Sequence, residues 1–146
     1  MFLGHHTTQL KNSNKLPLPA GWRTLISEGA YLTQGFDQNI MILTPNKFQE
    51  IYTCISALNL ADPLVRLLSR TFCSTASYVE VTQDTDSISL PPHLMGYANL
   101  EDSVVVVGQG EYVEVWSPSQ WQQQELEIQN AKANTERFSA FNITTS

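Results

Sequence analysis

The chain repeats itself, and nothing else in it restricts the fold as much. Leu16-Pro17-Leu18-Pro19 returns as Ile88-Ser89-Leu90-Pro91, an offset of 72. A longer block, residues 35–48, returns as residues 108–121, an offset of 73. The first copy runs from Gly35 through Ile40-Met41-Ile42-Leu43 to Thr44-Pro45 and Phe48. The second runs from Gly108 through Tyr112-Val113-Glu114-Val115-Trp116 to Ser117-Pro118 and Trp121. Two blocks in the same order at nearly one offset mark a duplication, with one residue gained in a connecting loop.

Both copies read the same way. A short strand with alternating apolar residues (Leu16 and Leu18, or Ile88 and Leu90) ends at a proline that suits the first turn of a helix. These helices are expected at 20–27 and 92–98. A hairpin follows, with arms at 30–33 and 39–43, or 103–108 and 112–116. Glycine-containing turns between the arms suit backbone at positive φ. Thr44-Pro45 and Ser117-Pro118 then read as N-cap and first helical residue. Between the copies, 45–58 and 63–72 carry apolar residues at helical spacing, with Asp62 as a cap. Residues 73–81 alternate like a strand. After Trp121, residues 122–138 are polar and tolerate helix, and the last residues should fray.

Units of about 45 residues are too small to bury a core comfortably alone. Each also presents short strands with unpaired edges. The economical solution is a face-to-face pairing with strands interleaved around one core. The expectation is an α+β fold of two β-α-β-β repeats, forming one pseudo-twofold, β-barrel-like core with flanking helices. Its divisions are a first repeat at 5–52, connecting helices at 53–78, a second repeat at 79–124, and a C-terminal helix and frayed tail at 125–146.

Charge is unevenly spread. The chain carries −6 overall. Residues 1–75 hold six basic against four acidic side chains, a net +2, whereas residues 76–146 hold two against ten, a net −8. Any surface for a polyanion lies in the first half. No apolar run nears the roughly 20 residues that span a bilayer, and Met1–His6 has neither the basic start nor the apolar stretch of a signal peptide. Two cysteines, Cys54 and Cys73, cannot form a disulfide scaffold. A soluble cytoplasmic protein is expected.

Several segments together resemble the MraZ family of bacterial transcriptional regulators, over residues 1 to about 125. They are Met1-Phe2-Leu3-Gly4, Arg66-Leu67-Leu68-Ser69-Arg70-Thr71-Phe72, Val106-Val107-Gly108-Gln109 and Glu114-Val115-Trp116-Ser117-Pro118-Ser119-Gln120-Trp121. The resemblance implies two tandem AbrB-like swapped-hairpin units. It also implies a ring-like homo-oligomer, associated with the nucleoid, that binds double-stranded DNA at short direct repeats upstream of the division and cell-wall cluster. It implies no cofactor and no small-molecule substrate.

The chain departs from the family at its most diagnostic loop. Members usually carry Asp-x-x-Gly-Arg before the Leu-Pro strand of each repeat. Here the first loop is Lys11-Asn12-Ser13-Asn14-Lys15 and the second is Gln83-Asp84-Thr85-Asp86-Ser87. Lys15 keeps the positive charge at the arginine position but lacks its planar fork, which weakens guanine readout. Asn14, at the glycine position, tolerates left-handed backbone. Two acids in the second loop should repel phosphate.

The expected DNA site is therefore Lys11, Asn12, Ser13, Asn14 and Lys15, whose amines, amides and hydroxyl suit phosphates and base edges. Arg23 extends it if the following helix folds back. A solvated polar turn is the bland alternative for these residues. An interaction scaffold that has kept the fold and lost specific DNA binding is the alternative for the whole chain. A weaker third reading is a small-molecule or peptide binder in the groove between the repeats.

Elsewhere the bland readings prevail. Arg66 and Arg70 lie four apart on a helix and read as structural, paired with acids across a subunit contact or sitting in solvent. His5 and His6 point to opposite faces of a strand and cannot share a metal. Asp84-Thr85-Asp86-Ser87 lacks the glycine and distal glutamate of a calcium loop. Cys54 and Cys73 read as core thiols, and Trp22, Trp116 and Trp121 as core or interface. No nucleophile elbow, phosphate loop or paired His and nucleophile suggests an enzyme.

Overall fold

The computed structural model describes residues 1–81 and 86–143. In chain order the first half holds β1 (His5–Gln9), β2 (Lys15–Pro17), α1 (Ala20–Leu25), β3 (Ala30–Gln34), β4 (Ile40–Leu43), α2 (Pro45–Ser56) and α3 (Pro63–Ser74). The second holds β5 (Ser77–Val79), β6 (Ser87–Ser89), α4 (Pro92–Tyr97), β7 (Ser103–Gly108), β8 (Tyr112–Trp116), α5 (Pro118–Gln129) and α6 (Ala131–Phe138).

Strands of the two halves interleave. The main sheet is antiparallel with the order β1-β7-β8-β4-β3-β5, and β2 pairs with β6 in a separate ribbon. Exchanging the halves reverses the sheet order onto itself. The register obeys the same twofold: Ile40 lies opposite Val115 and Ile42 opposite Val113, while Leu16 lies opposite its own counterpart Ile88. The first strand of each half pairs with the hairpin of the other, β1 on β7 and β5 on β3. The shared core expected from the repeat is therefore present. The barrel-like closure is not. Six strands form an open sheet whose ends are β1 and β5, because β2 and β6 leave it to pair with each other.

That ribbon covers one face of the sheet. Leu16, Leu18, Ile88, Leu90 and Leu94 pack with Leu32, Ile40, Ile42, Val104, Val106, Val113 and Val115 in the principal core. The other face is covered by helices in two patches. Met41, Leu43, Ile55 and Phe72 make one, and Val105, Val107, Trp116 and Trp121 the other. Burial on both faces explains why Ile40–Leu43 and Val104–Val107 are unbroken apolar runs. The N-terminus is strapped across the second half. Phe2 and Gly110 exchange backbone hydrogen bonds at 2.7 Å each, and Gly108 N donates to Gly4 O at 2.7 Å. A side chain at Gly108 would meet the Phe2 carbonyl carbon at 2.5 Å, so this crossing needs glycine.

The expected caps form. Thr44 Oγ1 accepts from Lys47 N at 3.1 Å, Ser117 Oγ from Gln120 N at 3.3 Å, and Asp62 Oδ1 from Leu64 N at 2.9 Å. Other expectations need correction. The strand expected over 73–81 shrinks to Ser77–Val79, because α3 continues to Ser74. Burial of Phe72 holds that last turn in helix, and Thr75 Oγ1 bonds back to Thr71 O at 2.6 Å. Residues 122–138 split into two helices, with Asn130 Oδ1 accepting from Ala133 N at 3.3 Å to start α6. Both cysteines are exposed rather than core. Cys54 and Cys73 each neighbour a buried residue, Ile55 and Phe72, and one residue is a 100° rotation on a helix. Among the described residues, no helix is long and apolar enough to cross a membrane.

Candidate nucleic-acid interface

The candidate loop is a tight link between β1 and β2. Leu10 N donates to Asp102 O at 2.8 Å, which fixes the end of β1 on the second half. Lys11 and Lys15 then exchange two backbone hydrogen bonds at 2.8 Å, closing a loop of Asn12, Ser13 and Asn14. The left-handed residues are Asn12 (φ 50°) and Ser13 (φ 73°). The sequence had suggested Asn14 for that role. Asn14 does something else: its carbonyl accepts from Leu90 N at 2.8 Å, and its Nδ2 donates to Leu90 O at 3.3 Å. It clips the loop to the second half and is half-buried.

The twofold places Asp86 at the end of the ribbon opposite to Asn14. Asp86 stands where Asn14 stands in the first half, and its carbonyl accepts from Leu18 N at 2.9 Å. Gln83, Asp84 and Thr85 lie outside the described residues, so the sequence readings that fall on them end there.

The three cations lie on or beside the ribbon, and each has a partner. Lys11 Nζ lies 2.7 Å from Asp86 Oδ2. Lys15 Nζ donates across the ribbon to Ser89 Oγ. Arg23 does fold back, since its Nε donates to Leu18 O at 3.2 Å. The Lys11 amine, by hydrogen bond and by charge, holds the Asp86 carboxyl below the ordinary aspartate range, and the charge of Arg23 adds to this. Lys11 and Arg23 thus both act on Asp86, while Lys15 is held on the ribbon by Ser89. Asn12 and Ser13 are exposed at the tip. The sequence missed the pairing of Lys11 with Asp86. Its only signal was the offset of 72, which makes Asp86 the counterpart of Asn14 and pairs the ribbon strands of the two halves.

The remaining candidates fall into structural roles. Arg66 Nη1 donates to Leu60 O at 3.0 Å and Ala61 O at 3.1 Å, tying down the link between α2 and α3. His5 lies against Trp121 and His6 against Trp22, both with tilted rings, on opposite faces of β1. Burial, with the neighbouring His5 charge second, lowers the His6 pKa below its ordinary value. Trp116 and Trp121 are buried, and Trp22 meets Phe2 edge-on at 5.6 Å. Glu114, buried beside them, accepts from Trp116 Nε1 at 3.1 Å and Gln109 Nε2 at 3.0 Å. Among the described residues, no group of three His, Cys, Asp or Glu could hold a metal ion.

These features define a class: an α+β protein of two like halves that share a six-stranded sheet and a two-stranded ribbon. Comparison with known proteins places it more closely. A family model described as "MraZ protein, putative antitoxin-like" matches residues 79–142. A protein of Herpetosiphon aurantiacus named "Transcriptional regulator MraZ" is 34% identical over 144 residues, covering 98% of this chain and 100% of the relative. A protein of the same name from Thermomicrobium roseum is 35% identical over 121 residues, 83% of this chain and 84% of the relative. One from Leifsonia xyli is 31% identical over 136 residues, 93% and 94% of the two chains. The chain belongs to the MraZ family.

Proposed function

We propose that the protein is a sequence-specific DNA-binding transcriptional regulator. It acts through the ribbon surface of Lys11, Asn12, Ser13, Asn14, Lys15 and Arg23, with residues 5–52 and 79–124 as its two AbrB-like swapped-hairpin repeats. The observation that carries this reading is that three cations of the first half lie on or beside one two-stranded ribbon, Lys15 on Ser89, Arg23 on Leu18 and Lys11 on Asp86. The names of its relatives point the same way. Asn14 acts by fixing the loop, and the exposed donors of Asn12 and Ser13 are the ones open to phosphate and base edges.

Two or three phosphate contacts per subunit are too few for tight binding. A ring-like homo-oligomer multiplies them when direct repeats in DNA match its spacing, which suits a site upstream of the division and cell-wall cluster. The regulator then works in the cytoplasm, on the nucleoid.

The test is binding of the purified protein to its own upstream DNA and to scrambled DNA across a salt series. Tighter binding to the upstream DNA is expected. Lys15→Ala should weaken binding to both and flatten the salt dependence by about 0.9 log units per subunit contact. Equal binding to the two DNAs, or a Lys15→Ala protein that binds like the parent, refutes the reading. A scaffold of the same fold without specific DNA binding is the second reading. The Lys11–Asp86 ion pair favours it, because it occupies a phosphate-binding amine.

A further inference from the structure

We infer that Asp86 is an internal competitor for the DNA phosphate, built into the same surface, so that duplex DNA must displace its carboxylate from Lys11 before the full set of cations can engage. The inference rests on the DNA-binding reading above. Three observations support it. The Lys11 Nζ to Asp86 Oδ2 distance of 2.7 Å is that of a direct, charge-assisted hydrogen bond. The two residues are 75 apart in sequence, so the contact comes from the pairing of the halves and not from local chain geometry. Both side chains are more than half exposed, 54% and 58%, so an incoming phosphate can reach the amine and the carboxylate can swing away.

A carboxylate presents two anionic oxygens to an amine much as a phosphate does. Exchanging one for the other gains little energy at that contact. Lys11 then adds little to binding of arbitrary DNA, and binding depends more on whatever else the correct sequence offers. Asp86 acts here as a specificity-determining residue.

Asp86→Asn is a mild replacement, because the twofold counterpart of this position is already asparagine. Asn14 makes the same backbone bond to Leu90 N that Asp86 makes to Leu18 N. The experiment measures binding of the purified full chain, as the oligomer it forms, to a short duplex and to heparin across a salt series. Asp86→Asn should tighten binding to scrambled duplex by up to about fivefold, the upper limit set by an exposed ion pair, and steepen the salt dependence by up to about 0.9 log units per subunit. Glu125→Gln, which removes the same charge from α5, should do much less. In a Lys11→Gln background the gain from Asp86→Asn should fall to the size of the Glu125→Gln effect.

An Asp86→Asn gain no larger than that of Glu125→Gln, or one that survives intact in the Lys11→Gln background, overturns the inference and leaves the DNA-binding reading standing. Absent DNA binding by parent and variants, with a heparin shift that still depends on Lys11, ends the DNA-binding reading and keeps the competition between carboxylate and polyanion. Absence of both effects ends both.

Discussion

Replacing Leu16 by alanine tests whether the ribbon is a packed part of the core or a surface flap. Leu16 has no exposed surface and sits at the centre of β2, opposite Ile88, which is 2% exposed. Its neighbours Leu18, Leu90 and Leu94 are buried too. Truncation removes three carbons from a site that has little freedom to collapse. The ribbon is pinned at one end by the Asn14 carbonyl on Leu90 N and at the other by the Asp86 carbonyl on Leu18 N. The expected loss therefore falls in the middle to upper part of the usual leucine-to-alanine range, about 3–4 kcal/mol. A chain of this length loses about 2–4 °C in Tm per kcal/mol, so the melting temperature should drop by about 6–16 °C. Differential scanning calorimetry at fixed protein concentration reads this, since any oligomer makes Tm concentration-dependent. Leu25→Ala, at a position 43% exposed, is the control and should cost under about 1 kcal/mol. A Leu16→Ala shift no larger than that of the control would show that the ribbon does not share the core, and the placement of the candidate loop would fall with it.

Glu114→Ala should lower stability by about 2–3 kcal/mol, because it leaves Trp116 Nε1 without its acceptor in a buried setting; urea unfolding followed by tryptophan fluorescence measures it. Gly108→Ala should loosen the N-terminal strap, since its Cβ would lie 2.5 Å from Phe2 backbone; faster amide exchange at Phe2 and Gly110 is the sign, and unchanged exchange refutes the close crossing. The Asp86 carboxyl should titrate below ordinary aspartate in an NMR series and move back up in Lys11→Gln. Its folded pKa is depressed, so the ion pair's contribution is present above the unfolded aspartate pKa and is lost as pH falls through the lower folded value. His6 should titrate below 6.5 because burial disfavours its charged form. Its contribution then declines as pH falls from about 6.5 toward the lower folded value, and a stability profile unaffected by His6→Gln over that window would count against it.

The charge asymmetry has a structural use beside the functional one. Among the described residues, basic side chains of the first half reach acids of the second: Lys11 to Asp86, and Lys47 to Glu111 at 2.8 Å. Both pairs are cross-half contacts on the surface, where such pairs stabilise weakly. They fit a sequence in which one half carries the surplus of acid.

The amino-acid sequence by itself determined the duplication, the hairpins, the Thr-Pro and Ser-Pro helix starts and the need for a shared core. All of these follow from local rules: a proline removes a donor, a hydroxyl caps a helix, a short strand needs a partner. Family membership was legible for the same reason, since its motifs are contiguous. Tertiary structure alone decided which edges pair. Whether β2 closes the sheet into a barrel or leaves it for β6 depends on contacts between residues more than 70 apart, such as Leu16 with Ile88, and no local pattern encodes that choice. The same holds for Cys54 and Cys73, whose exposure turns on which side of a helical stripe meets the sheet. It holds most of all for the candidate site. Lys11 looks like a free amine in the sequence, and it becomes half of an ion pair only because the fold's twofold brings Asp86 to within 2.7 Å of it.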